Sequence, residues 1–264
     1  MLFGMPTLIE RPDAEDSAAL CRELGLDFLE LNMNMPQYRM GALNAERLRD
    51  IGEKYGIFFT IHLDENLNVS DFNPYVADAY LRTVRETIAF AKNIGAPIIN
   101  MHLAQGVYFT LPNEKRYLFE EYKERYLQSM GDLVSLCENA IGDSKIRICV
   151  ENCDGFHDFQ KEAIALLLES PCFALTYDVG HNHSCGGRDE GYILENKDSL
   201  CHMHLHDALG RKNHLALGSG ELELDRLLAL ASERDCRVVL ETKTVEALKN
   251  SVSWLRARGY MRNI

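Results

Sequence analysis

The sequence predicts a single (β/α)8 TIM barrel spanning residues 1–264. Three observations carry that expectation. Short apolar runs alternate with amphipathic helical stretches from end to end, with no linker or low-complexity insert between them. The runs are almost continuously apolar, as parallel strands covered on both faces should be. Eight such β/α units fill a chain of 264 residues, close to the ~250 residues usual for this barrel. A doubly wound sheet would also alternate β with α, but no GxGxxG follows the first apolar run.

The elements follow in order. Residues 2–8 are the first apolar run, and a helix over 13–24 begins at Asp13 as a cap and stops at Gly25. Residues 27–33 form the second strand; a loop with Pro36 and Gly41 leads to a helix over 45–55, ended by Gly56. The third strand covers 57–63, followed by a longer loop over 64–74 and a helix over 75–93 before Gly95. Strand four is 97–103, with a loop over 104–114 and a long helix to about residue 140. Strand five is 146–152, backed by a helix over 159–169. Strand six, 173–179, precedes a Gly-rich loop at Cys185 and a short helix over 190–196. Strand seven is 200–207 with a helix over 224–234, and strand eight is 237–241, closed by a helix over 245–258.

Composition narrows the classes of function. At 46 % hydrophobic the chain can bury a large core. No apolar run approaches the ~18 residues of a membrane span, and the first residues lack the basic-then-apolar pattern of a signal peptide. The eight cysteines are scattered singly without a CxxC pair, which suits reduced thiols in a cytoplasmic protein. Cys153 and Cys185 fall near the strand ends but are not expected to be ligands. A net charge of −12 opposes phosphate backbones, so nucleic acid is not an expected partner. The sequence leaves monomer and homo-oligomer open.

The chemistry collects at strand ends, where barrel enzymes place their reactive groups. In strand seven, His202, His204 and His206 are spaced by two and so share one face of a strand. A buried, unpaired imidazole costs a few kcal/mol. Three together, followed by Asp207, read as one wall of a metal site. The other strand ends supply Glu30 and Asn32, His62 and Asp64, Asn100 and His102, Glu151 and Asn152, Asp178 with His181 and His183, and Glu241 with Lys243. Only His157 of the nine histidines lies away from a strand end, and it is expected at the surface. Glu151, Asp178 and Glu241 cannot all ionise in one mouth without cations, because like charges push carboxyl pKa values up. A divalent ion resolves the conflict and also polarises substrate oxygens.

At Val150-Glu151-Asn152, Asp178-Val179-Gly180-His181, His204-Leu205-His206-Asp207, Gly218-Ser219-Gly220-Glu221 and Leu240-Glu241 the chain resembles the xylose isomerase-like barrel superfamily. That superfamily includes endonuclease IV and the sugar isomerases and epimerases, and the resemblance spans essentially the whole chain. In the epimerase branch it implies one metal on Glu151, Asp178, His204 and Glu241, with the two glutamates moving a proton beside a carbonyl. In the endonuclease branch it implies further metals at positions matching His62, His102, His181 and His214. The third of those sites expects an aspartate where Lys212 stands, which counts against a third ion. The implied cofactor is zinc or manganese, one to three ions per chain. His206, Asp207, Arg211 and Lys243 are the expected substrate-binding groups, with His202 and His206 beyond the shared pattern.

Two enzymatic readings stay open. One is a metal-dependent isomerase or epimerase of a sugar or sugar phosphate, with Glu151 and Glu241 as acid/base pair and Tyr108 and Phe109 as a stacking lid. The other is metal-dependent phosphodiester hydrolysis, as in apurinic-site cleavage, with Gln37-Tyr38-Arg39 probing a duplex. The charge and the lack of any Lys/Arg-rich run weigh against the second. A barrel that binds metal without turnover is a third class, disfavoured by the intact pair of glutamates.

Overall fold

Each apolar run becomes a barrel strand, and His62, His102, Glu151 and Asp178 are the last residues of theirs. A computed structural model describes residues 1–262. The first half of the chain runs β1 (Leu2–Pro6), α1 (Ala14–Glu23), β2 (Phe28–Asn32), α2 (Ala45–Tyr55), β3 (Phe58–His62), α3 (Pro74–Ile94) and β4 (Ile98–His102). A crossover follows: β5 (Tyr108–Thr110), β6 (Lys115–Tyr117), α4 (Leu118–Glu121) and α5 (Lys123–Ile141). Then come β7 (Arg147–Glu151), α6 (Asp158–Leu168), β8 (Phe173–Asp178), α7 (Val179–Ser184), α8 (Glu190–Glu195) and β9 (Leu200–Leu205). The last elements are β10 (Asp207–Leu209), β11 (Lys212–Leu215), α9 (Leu224–Glu233), β12 (Arg237–Leu240) and α10 (Val245–Ala257).

Eight strands close a parallel barrel in the order β1-β12-β9-β8-β7-β4-β3-β2, so the predicted fold class holds. Local chemistry sets the helix limits. Asp13, Asn44, Asn73 and Thr244 accept a backbone N–H at the start of α1, α2, α3 and α10, satisfying donors the first turn cannot pair. Gly56 and Gly95, both left-handed, end α2 and α3.

Three stretches differ from expectation. Residues 104–114 are not a plain loop: β5 pairs antiparallel with β6, and Tyr108 and Phe109 sit exposed on that hairpin. Residues 179–184 are helical, because the Asp178 side chain caps the turn by accepting the His181 N–H at 2.6 Å. His157 is not a free surface residue; its ring lies half-buried between Tyr117 and Phe159, 4.2 Å and 5.2 Å away.

The N-terminal end of the lumen is filled by aromatic carbon. A Cβ on Gly4 would fall 2.4 Å from the Phe28 ring, and Phe28 stacks on Phe58 at 5.1 Å. Gly4→Ala should therefore lower the melting temperature, at a cost of about 1–3 kcal/mol for overpacking. Gly131→Ala in α5, where no atom lies within 4 Å of the added carbon, should be neutral or stabilising. Thermal melts of the two variants check the contrast.

Candidate metal centre

Four neighbouring staves of the barrel bring four ligand-type side chains to one point. Glu241 follows β12, His204 lies on β9, Asp178 ends β8 and Glu151 ends β7. Val239 pairs with His204, and His204 with Asp178, which sets these side chains at one height. One donor atom from each of the four lies within 4.8 Å of the others, and all four residues are buried. His204 Nδ1 is 3.1 Å from Glu151 Oε1, 3.3 Å from Glu241 Oε2 and 3.9 Å from Asp178 Oδ2. Glu241 Oε2 is buried without a hydrogen-bond partner. An orphaned carboxylate oxygen facing two more carboxylates and an imidazole is a donor set that fits a divalent ion.

Other histidines flank this group. His62 Nε2 and His102 Nε2 lie 3.3 Å and 3.2 Å from Glu151 Oε2, and Asn100 donates to the same oxygen. On the Glu241 side, His214 Nδ1 donates to the Glu241 carbonyl at 3.0 Å, and its Nε2 lies 3.3 Å from His181 Nε2. All eight metal-type residues expected from the sequence thus gather at one barrel mouth. No cysteine joins any ligand cluster among the described residues.

The substrate-binding expectations divide. Lys243 lines a cavity of about 540 Å³ beside the centre, with its Nζ 2.8 Å from Glu241 Oε1. Asp207 does not face that space. Its two oxygens accept the backbone N–H groups of Ala208, Gly218, Gly220 and Leu222, so it pins the loop after β11 instead. Arg211 and Lys212 are exposed at the β10–β11 turn and line neither this cavity nor the second one described below. His206 is fully buried. Tyr38 is buried too and Arg39 pairs with Asp64 at 2.7 Å, which leaves Gln37 and Arg39 as the exposed residues of the segment at 37–39.

One participant escaped the sequence reading. Glu30 on β2 reaches into the lumen, where its Oε2 accepts from Thr60 Oγ1 and lies 2.9 Å from His202 Nε2. Its Oε1 lies 3.0 Å from His204 Nε2. Glu30 was visible as a strand-end acid, but nothing within its own strand tied it to the histidines of β9.

Without metal, the cation that the three carboxylates need is imidazolium, where the sequence reading placed a divalent ion. Burial pushes Glu151 and Glu241 up, yet both are held well below the usual carboxylate range. For Glu151 the cause is His204 and then His102; for Glu241 it is His204, then Lys243 and His214. Burial opposes charge on His204 as well, but Glu151, Glu30 and Glu241 raise it well above an ordinary imidazole. Protonated histidine takes the place of the cation. His62 behaves alike: against burial, Glu151 raises it from 6.5 to about 9. A group raised on folding stabilises fully below its unfolded pKa and loses that contribution as pH rises through the folded one. Chelator-treated protein should therefore lose melting temperature between pH 6.5 and about 9. His62→Gln should flatten that slope, as thermal melts across the range would show.

Residues 18–258 match the sequence family described as xylose isomerase-like TIM barrel. The chain belongs to that family. An uncharacterized protein of Methanocaldococcus jannaschii is 24 % identical over 235 residues, covering 84 % of this chain and 81 % of that one. Among solved structures, a D-tagatose 3-epimerase-like protein superposes with a TM-score of 0.78 at 20 % identity, covering 97 % of this chain and 96 % of its own. D-psicose 3-epimerase of Clostridium cellulolyticum gives 0.75 at 13 % identity, over the full length of both chains. The IOLI protein, solved with a bound zinc atom, gives 0.71 at 13 % identity, again over both full lengths. These likenesses establish the xylose isomerase-like fold; the site's chemistry has to be argued from its own residues.

Proposed function

We propose that this protein is a divalent-metal-dependent isomerase or epimerase acting on a free sugar. The carrying observation is the Glu151, Asp178, His204 and Glu241 cluster on four adjacent strands, with an orphaned carboxylate oxygen at its centre. Those four residues would hold zinc or manganese, which supplies Lewis acidity toward a carbonyl and its neighbouring hydroxyl. The sugar-epimerase neighbours and the zinc-bound one support this reading.

Glu151 and Glu241 stand three staves apart around the barrel, so they approach a bound ketose from different sides. Each is ionised at neutral pH in the metal-free centre. One carboxylate accepts the proton from the carbon beside the carbonyl; the other, which must first take a proton from solvent, gives it to the opposite face of the planar intermediate, as general base and general acid. Burial of both carboxylates keeps bulk water from exchanging that proton freely. Asn100 and His102 orient Glu151, and Lys243 orients Glu241.

The cavities favour a neutral sugar over a sugar phosphate. The larger one is lined by Asn32, Asn34 and Gln37; the second, of about 230 Å³, by Gln105 and Gln160. Lys243 is the lysine or arginine that lines them, and it is already paired with Glu241. A phosphate dianion needs unpaired Arg, Lys or helix amides, whereas carboxamides suit hydroxyl groups.

Assays of free ketohexoses and their phosphates in D2O test this reading. Deuterium should enter at the epimerised carbon, and the free sugar should have the higher kcat/KM. At saturating metal, Glu151→Gln and Glu241→Gln should each lower kcat by about 10²–10⁴-fold. Full turnover in either variant would refute the acid/base assignment.

One observation favours a second reading, phosphodiester hydrolysis: His62 and His102 converge on Glu151 Oε2 beside the first centre, as a two-ion phosphate clamp requires. Elemental analysis decides between the two. One ion per chain is expected; two or three tightly held zinc ions with cleavage of abasic DNA would establish the hydrolase instead.

A further inference from the structure

The geometry points to His206 as a positioning residue that fixes Asp178 for metal binding, with its tautomer set by the backbone amide of His214. The inference rests on the metal centre proposed above. The His206 ring is fully buried, so it meets neither solvent nor substrate. Its Nδ1 lies 2.8 Å from the His214 backbone nitrogen. A backbone amide can only donate, so Nδ1 must offer a lone pair. The proton of the neutral ring is then on Nε2, which lies 3.1 Å and 3.2 Å from the two oxygens of Asp178.

Two backbone features serve this contact. His214 has φ of 55°, a conformation uncommon for a residue with a Cβ, and its amide is the one that meets the ring. Gly180, in the first turn of α7, leaves the ring its space: a Cβ there would fall 2.0 Å from His206 Cε1. The glycine two residues after Asp178 is thus explained by the histidine that braces Asp178.

The consequence is specific. His181, His206 and His214 lie close enough together to suggest a three-histidine ion site. Yet both His206 nitrogens are engaged, and recruiting Nε2 would strip Asp178 of its donor. Asp178 instead receives two donors, the His181 amide and His206 Nε2, which hold its carboxylate toward His204 and the centre. Such outer contacts fix a ligand's orientation and are worth about 10- to 100-fold in metal affinity.

The test uses zinc as probe. Long-range proton–nitrogen correlation spectra of zinc-loaded, nitrogen-15-labelled wild type should show His206 protonated at Nε2 alone; a proton at Nδ1 overturns the inference without any variant. Zinc Kd by chelator competition should rise about 10- to 100-fold in His206→Leu. His206→Gln, whose amide can still donate to Asp178, should recover most of that loss. Metal-free melting curves separate a folding defect from a binding defect, and the visible spectrum of the cobalt-substituted protein should change in His206→Leu and return toward wild type in His206→Gln. Equal Kd in wild type and His206→Leu, or equal loss in Leu and Gln variants, overturns the positioning role while leaving the metal centre standing. Should His206→Leu fail to fold, the wild-type tautomer and the Gln variant decide. Absence of zinc binding in wild type overturns the centre and the inference together.

Discussion

Three carboxylates share one imidazole at the mouth of a closed barrel, and most of what surrounds them answers that conflict. Glu151, Asp178 and Glu241 are buried within reach of His204 Nδ1. Like charges in low dielectric repel strongly, so such a group persists only with a cation among it. In the metal-free protein that cation is a protonated imidazole, chiefly His204, helped by histidines around the rim. A divalent ion at the proposed centre would take over the same duty with twice the charge, and it would displace the imidazole proton, since a histidine ligand binds as the neutral ring.

The barrel makes this arrangement affordable by separating layers. Phe28 and Phe58 fill the N-terminal end, and Gly4 exists to let Phe28 in. Above them, Glu30, Thr60 and His202 form a hydrogen-bonded layer with no solvent contact. The ligand layer lies above that, and the two cavities open beside it. His204 Nε2 faces Glu30 at 3.0 Å without a well-aligned hydrogen bond, so what Glu30 supplies there is mainly charge, favouring the proton on Nε2 and leaving Nδ1 toward the carboxylates. Each layer is rigid because the parallel strands around it are rigid, which suits a site whose ligands must be held within fractions of an ångström.

Strand identity was legible because period and apolarity are local. Every barrel strand falls within a run visible in the sequence, and the four candidate ligand residues stood at strand ends in recognisable short motifs. What escaped was decided by contacts between distant residues. Asp207 reads like a ligand because it follows three histidines, yet three backbone amides from a loop more than ten residues away claim its oxygens. Residues 179–184 read as loop, because nothing in a Val-Gly-His-Asn-His run announces that the preceding aspartate will cap a turn. Tyr38, next to an arginine, reads as exposed, but its hydroxyl donates to the Pro12 carbonyl and its ring is buried. The loop expected over 104–114 holds a β-hairpin instead, because aromatic and β-branched residues at 107–110 favour an extended, paired backbone.

The histidines themselves show how a chain can carry more ligand-type side chains than ions. His202 is neutral, lowered by burial, and spends its Nε2 proton on Glu30. His206 spends its own on Asp178 and its lone pair on a backbone amide. His214 donates Nδ1 to the Glu241 carbonyl, and burial lowers it to about 4. Each of these fixes a neighbour of the centre and is occupied in doing so. That leaves His204 as the imidazole with a nitrogen facing all three carboxylates, His62 and His102 as the pair with nitrogens facing Glu151, and His181 with an Nδ1 that has no hydrogen-bond partner. Counting histidines therefore overstates the nitrogens available to the proposed ion.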